Sequence, residues 1–419
     1  FWDEAASRLT RKGTVKHPNP LRRFGFITTN SITQTFSRRV IERHMAAKEP
    51  LSLIFAVPDH PWLKAADKAA VRIAMTVAEK GDKQGVLAAV VSETGLNTDT
   101  PVVDLTMYEG KVRANLVIGA NLSAARPLTS NSELASRGVA LHGAGFIVTP
   151  QQASALGLGK VAGVEKHILT YRNGRDIAQR PRGVMVIDLY PLDVDEVQQR
   201  FPAVYQHVLE NVKPERDSNR EEFRREFWWW FGRRHTDLRA FLADLPRYIV
   251  TVETTKHRFF QFLDASIRPD NMLVNIGLQS AEHLAVLSSR LHINWMLATG
   301  GTLEDRPRYN KTRTFDPFPF PDLDSRQALK DRLRELGERL DSFRKARLAE
   351  HAFLTMTGLY NALERLREID NKVGPPLTEA ERDVHQAGLI SVLKEVHDDI
   401  DRAVLSAYGW EDLIPALVG

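Results

Sequence analysis

Four cations fall within eight residues at Arg306, Arg308, Lys311 and Arg313, with no acid between the first and the last. Such a run suits an anion, above all phosphate oxygens, and arginine forks also match the acceptor pair on a guanine edge. A second group, Arg172, Arg175, Arg180 and Arg182, surrounds Asn173-Gly174, a dipeptide that favours a turn and would present the forks outward at a hairpin tip. Lys256, His257 and Arg258 follow Thr254-Thr255, giving a third basic tip whose hydroxyls can also bond phosphate. Trp62, in the loop Pro58-Asp-His-Pro-Trp62, is a candidate to stack on a base or to close the core, and the core reading is preferred. The plain alternative for each basic group is a solvated surface.

Other chemistries lack their residues. Cysteine is absent, which removes disulfides, thiolate zinc sites and thiolate nucleophiles. A cytosine-C5 methyltransferase and a His/Cys/Cys zinc deaminase are excluded on that ground. No Walker A sequence occurs, and the glycine clusters His142-Gly-Ala-Gly-Phe146 and Gly157–Gly163 lack the GxGxxG spacing, so both read as turns. Pro58-Asp59 and Glu109-Gly-Lys111 loosely echo a PD…ExK nuclease pattern, but two expected strands separate the halves and a shared metal site is not expected. With 57 basic and 53 acidic residues the net charge is only +4, a mild hint of an anionic partner. No apolar run is long enough to span a bilayer and no signal peptide opens the chain, so the reading is a cytoplasmic protein without a membrane partner. Nothing in the sequence gives an oligomeric state.

The elements that must position these residues follow from periodicity. Phe1–Leu9 reads as the middle or end of an amphipathic helix without an initiator methionine, which points to a piece of a longer protein. Phe24–Thr29, Leu51–Val57, Ala70–Val77 and Gly85–Val91 are expected strands, the last two joined as a hairpin through Glu79–Lys83. Asn30 or Ser31 caps an intervening helix carrying Phe36, Val40, Ile41 and His44. This reads as the closing half of a mixed α/β sheet. Asn97–Pro101 is an expected linker, followed by an α+β region with strands at Arg182–Tyr190 and Arg247–Glu253. Helices are expected at 194–212, 219–234 and 284–297, the second carrying the aromatic run Phe227–Phe231 as a core anchor. Phe315, Phe318 and Phe320 alternate with prolines, so this stretch is an extended strap that lays its rings into its own protein. Beyond it, 326–350, 353–369 and 379–407 are expected long helices.

Taken as a set, Gly25–Gln34, Ile54–Trp62 with Ala69–Val77, His142–Pro150, Tyr171–Asp176, Arg247–Arg258 and the strap Arg308–Pro321 resemble the MmeI-like class I SAM-dependent DNA methyltransferases of bacterial restriction-modification systems. The resemblance implies residues 1–95 as the C-terminal part of a methyltransferase catalytic domain, 96–322 as a target-recognition domain and 323–419 as a helical C-terminal domain. It implies double-stranded DNA as partner, with Arg172, Arg175 and Lys256 among the residues facing it, and a parent that transfers a methyl group from S-adenosylmethionine to an adenine amino group. The family's glycine-rich SAM loop and Asn-Pro-Pro-aromatic motif are not in this sequence. The chain is therefore expected to be inactive alone. The alternative is a non-catalytic specificity or scaffold protein whose C-terminal helices dock a separate methyltransferase or nuclease.

Overall fold

The computed structural model describes residues 1–33, 35–62, 71–96, 101–119, 122, 125–303, 306–371 and 375–418, without the side chains of 35, 36, 301–303 and 306. Two compact units divide the chain, 1–124 and 125–419. The architecture is mixed α/β with several sheets and a helical C-terminal segment.

In the first unit, α1 (Trp2–Thr10) precedes β1 (Arg23–Thr29), α2 (Thr35–Met45), β2 (Leu51–Pro61), β3 (Arg72–Lys80), β4 (Gly85–Thr94) and β5 (Val102–Gly110). One sheet runs in the order β1-β3-β2-β4-β5. The expected β3–β4 hairpin does not form. β3 is antiparallel to β1 on one side and to β2 on the other, so both its ladder edges are used. β4 instead lies beyond β2, parallel to it at Phe55↔Val86, and pairs antiparallel with β5 from Gly85↔Gly110 to Thr94↔Val102. The expected linker at Asn97–Pro101 falls mostly outside the described residues. Trp2 and Leu9 of α1 and Ile41 of α2 cover Leu51, Leu53, Ala74 and Ala78 of the sheet. β2 continues through Pro61, so Trp62 follows a strand end, donates its backbone N–H to Val71 and is 44 % exposed. The core reading of Trp62 is thus corrected.

The second unit opens with β6 (Ala135–Arg137), β7 (Ile147–Val148), α3 (Pro150–Ala155), β8 (Ile168–Arg172), α4 (Gly174–Ala178) and β9 (Met185–Ile187). The short helices α5 (Val194–Arg200), α6 (Pro202–Asn211), α7 (Lys213–Asp217), α8 (Glu222–Glu226) and α9 (Thr236–Ala243) follow. Next come β10 (Arg247–Val252), β11 (Gln261–Asp264), β12 (Arg268–Pro269) and β13 (Leu273–Ile276), then α10 (Ala281–Ser288) and α11 (Arg290–Thr299). The hairpin strands β14 (Gly301–Leu303) and β15 (Arg306–Arg308) lead into the strap. Beyond it stand α12 (Gln327–Glu350), α13 (Met356–Asp370), α14 (Glu379–Gly388), α15 (Ile390–Tyr408) and α16 (Ile414–Val418). β11-β10-β13-β6 form one sheet and β12-β8-β9-β7 another.

Several expected elements are shorter, each for a local reason. Pro202 has no N–H to continue α5 and instead starts α6 at its first helical position. Ser289 interrupts 284–297 and caps α11 by accepting from the His292 N–H. Leu389 takes a left-handed conformation (φ 47°) and separates α14 from α15. Of 219–234 only α8 is helical; the run Phe227–Phe231 lies in turns, with Trp228, Trp229, Trp230 and Phe231 buried. The strand expected over Arg182–Tyr190 is reduced to β9.

The strap is extended only in part: Lys311–Phe315 forms a π-helical turn and Asp316-Pro317 a further turn, so the run free of helix and turn starts at Phe318, while the inward placement of the rings holds. Phe315 and Phe318 are buried and Phe320 packs beside them. Its carbonyls find donors from elsewhere: Asn131 Nδ2 donates to Phe315 and Phe318 (3.3 and 2.8 Å), Trp295 Nε1 to Thr314 (2.8 Å) and Tyr408 Oη to Pro319 (2.6 Å).

Candidate nucleic-acid interface

The two sheets of the second unit meet at the turn Asp270–Met272, between β12 and β13. Gly138, just after β6, packs so closely here that a Cβ would lie 2.2 Å from the Pro269 and Asp270 carbonyls, which only glycine allows. Val139 donates its N–H to Pro269 and accepts from Asn271, while Asp270 donates to the Arg172 carbonyl (2.8 Å). Tyr171 Oη donates to Asp270 Oδ2 (2.6 Å), and the other carboxylate oxygen accepts from the Met272 N–H. Burial, then Asp270, raises the Tyr171 hydroxyl's pKa, so that it stays a donor.

At the end of β10 the next residue, Glu253, is tied on three sides. Its N–H donates to Met272, its carbonyl accepts from Tyr309, and Thr254 bridges Arg308 of β15. Its carboxylate is 3 % exposed and holds two arginines that are 58 % and 41 % exposed. Arg137 Nη2 donates to Glu253 Oε1 at 2.9 Å and Arg308 Nε at 2.7 Å. A buried acid thus orients two guanidinium groups from different segments, leaving further N–H donors of each toward solvent. Fixed forks of this kind suit planar acceptor pairs such as those on base edges or phosphates.

The sequence-selected cations divide around this point. Arg175 of α4 is exposed, with no side-chain partner among the described residues. Arg172 is partly buried; its Nη1 turns back to the Tyr171 carbonyl and burial lowers its pKa. Asn173 is the N-cap of α4, accepting from the Arg175 and Asp176 N–H groups, so the expected hairpin tip is a helix start. Arg182 makes a bidentate pair with the buried Asp176 (2.9 and 2.8 Å). Arg180 reaches away to the His351 and Ala352 carbonyls at the end of α12. Lys256 and His257 are drawn to Asn361 on α13 (2.9 and 2.6 Å), and Lys256 also to Glu364. Lys311 is paired with Asp316 and Arg313 is exposed. Arg306 belongs to β15, but its side chain lies outside the described residues.

Arg258 departs most from expectation: it is buried. Its guanidinium donates to Thr251 Oγ1 (3.0 Å) and to the carbonyls of Val252, Glu253 and Pro307, the last two at 3.3 and 3.2 Å. It stands 5.2 Å from the Tyr309 ring centroid, and burial lowers its pKa to about 10. Beneath it the buried Tyr309 shares a 2.9 Å hydrogen bond with His292, whose burial takes its pKa down to about 3. The reason is local. β11 must return at Gln261 to pair with β10, so a bend of this length folds Arg258 under the strand end.

Sequence reasoning missed Glu253 and Arg137. Glu253 was visible as the acid closing a strongly apolar strand; Arg137 gave no signal until the close packing at Gly138 placed it.

Residues 123–322 match the sequence profile of the MmeI target recognition domain. Among solved structures the chain resembles the type IIL restriction-modification enzyme MmeI, determined in complex with DNA. The TM-score is 0.66 at 18 % identity, covering 94 % of this chain and 49 % of that one. Another match, the type IIG restriction endonuclease BpuSI, has a TM-score of 0.32 and 11 % identity, covering 92 % and 47 %. The chain spans about half the length of each. No curated protein matches.

Proposed function

We propose, from the premise that residues 123–322 carry an MmeI-type target recognition domain, that this chain is the duplex-DNA-recognising portion of a site-specific restriction-modification enzyme. The observation that carries the reading is the Arg137–Glu253–Arg308 cluster, two half-exposed forks oriented by one buried carboxylate. Arg175 follows Gly174, which packs against Val252 at the end of β10, next to Glu253 in the chain. In this reading Arg137 and Arg308 contact base edges, while Arg175, Arg306 and Arg313 hold phosphates.

We further propose that the parent methylates adenine N6 from S-adenosylmethionine, with residues 1–95 as the end of its catalytic domain, 96–322 reading the target and 323–419 bracing it. The motif Gly25–Gln34 supports this. Among the described residues, the cavity beside α2 does not fit the cofactor itself. The cavity of about 520 Å³ beside α2 sets Glu42 and Asp82 against Lys111 and Arg113 and offers no aromatic ring to an adenine. No chemical step is therefore assigned to this chain.

The test is selection of the purified chain on a library of random-sequence duplexes. Enrichment of one short motif is expected. Binding without any sequence preference, or no binding, would sink the recognition reading.

A further inference from the structure

The buried Arg258 has no carboxylate partner among the described residues; its hydrogen bonds go to the Thr251 hydroxyl and to carbonyls. A buried cation of this kind costs desolvation, and a turn that only had to close could have used an apolar residue instead. What its planar fork does is geometrical. It reaches Val252 and Glu253 at the end of β10 and, across the gap, Pro307 in the middle of β15. Those two segments carry the two sides of the reading cluster: Glu253 on one, Arg308 on the other. Besides the Arg308 side chain itself, the described links between them are the Tyr309 N–H to the Glu253 carbonyl (2.7 Å) and the Thr254–Arg308 bridge. The base beneath is stiff: the Tyr309 ring under the guanidinium is pinned through its hydroxyl to His292, and Thr251 Oγ1 donates to the Phe259 carbonyl (2.8 Å).

We propose that Arg258 is a positioning residue for target discrimination: without touching DNA, it sets the spacing between Glu253 and Arg308 and so fixes which acceptors the paired forks can meet. This rests on the recognition reading above. Lysine keeps the charge, but an ammonium is a point donor that cannot hold the ends of both segments in one plane. Looser spacing lets the forks accept several base patterns, so discrimination falls while phosphate contacts persist.

The experiment compares wild type, Arg258→Lys and Thr251→Val in selection from random duplexes, with thermal melting in parallel and binding to a scrambled duplex across a salt series. For Arg258→Lys the enriched motif should relax at a subset of positions, losing about ten-fold or more in discrimination there. Affinity for the scrambled duplex and its salt dependence should stay as in wild type. A merely structural role would lower affinity for all sequences alike, through the folded fraction, and leave the motif intact. A folded Arg258→Lys protein that enriches the wild-type motif at full discrimination overturns the proposal. Should the lysine variant not fold, Thr251→Val, which removes one anchor of the guanidinium without changing charge, is read in the same way. A wild-type chain that enriches no motif overturns the recognition reading first, and this inference with it.

Discussion

Replacing Glu253 by glutamine should make the protein less stable yet stickier toward random DNA. The carboxylate accepts from Arg137 and Arg308 and is almost fully enclosed, whereas its partners are about half exposed. Charge-assisted bonds of this type are worth roughly 1.5–3 kcal/mol against 0.5–1.5 for neutral ones. Screening of the exposed arginines reduces the difference, so a loss of about 1–2 kcal/mol in folding stability is expected. The variant also adds one net positive charge to the proposed interface. The slope of log K against log salt for a scrambled duplex should steepen by about 0.9 for each freed guanidinium group that engages a phosphate. Discrimination for the selected motif should fall by roughly five- to a hundred-fold, because forks that were oriented become free to rotate. Fluorescence anisotropy over a salt series, with urea melts alongside, measures all three. A slope that stays the same or becomes shallower, with discrimination retained, would refute the placement of the reading cluster.

Arg175→Ala should flatten the salt slope by about 0.9 and leave stability within about 0.5 kcal/mol, since its side chain has no partner among the described residues. Arg180→Ala should do the reverse: the slope stays, while loss of the bonds to the His351 and Ala352 carbonyls lowers the urea midpoint. Acid should destabilise the fold as the pH falls through the ordinary histidine range. His292 stays neutral to about 3 and His397 is lowered in the same direction, both by burial. The unfolded chain takes up those protons below about 6.5 and the folded chain does not, so stability is full above that pH. It then falls by up to about 1.4 kcal/mol per pH unit for each histidine. Urea midpoints at a series of pH values should show this slope, and His292→Gln should flatten it; an unchanged slope would count against the burial argument.

The elements legible in the sequence were those whose signals are local. The strap was visible because prolines forbid a ladder and the alternating phenylalanines had to go inward, as Phe315 and Phe318 do. The long helix at Gln327–Glu350 was visible from its period. Pairing was not legible: Glu79–Lys83 is a good hairpin loop by composition, yet β3 is inserted between β1 and β2, a choice made by the whole sheet. The site was half visible for the same reason. Clustered cations announce themselves, but whether a cation faces solvent or carbonyls depends on which segment returns beside it. Arg258 and Arg175 look alike in the sequence and end on opposite sides of the surface.

The tight seat of α12 against α10 bears on how such a chain can be inherited. At Gly337 a methyl group would stand 2.0 Å from the Ala281 carbonyl, and Leu333, Leu336 and Leu340 share one apolar cluster with Ala285, Val286, Leu393 and Val396. A genetic crossover within the strap, near Asp322, would splice helices from one ancestor onto a seat shaped by another. Exchange between related chains should therefore keep this unit folded only when α10, α12 and α15 travel together, which puts a break inside the strap at a disadvantage.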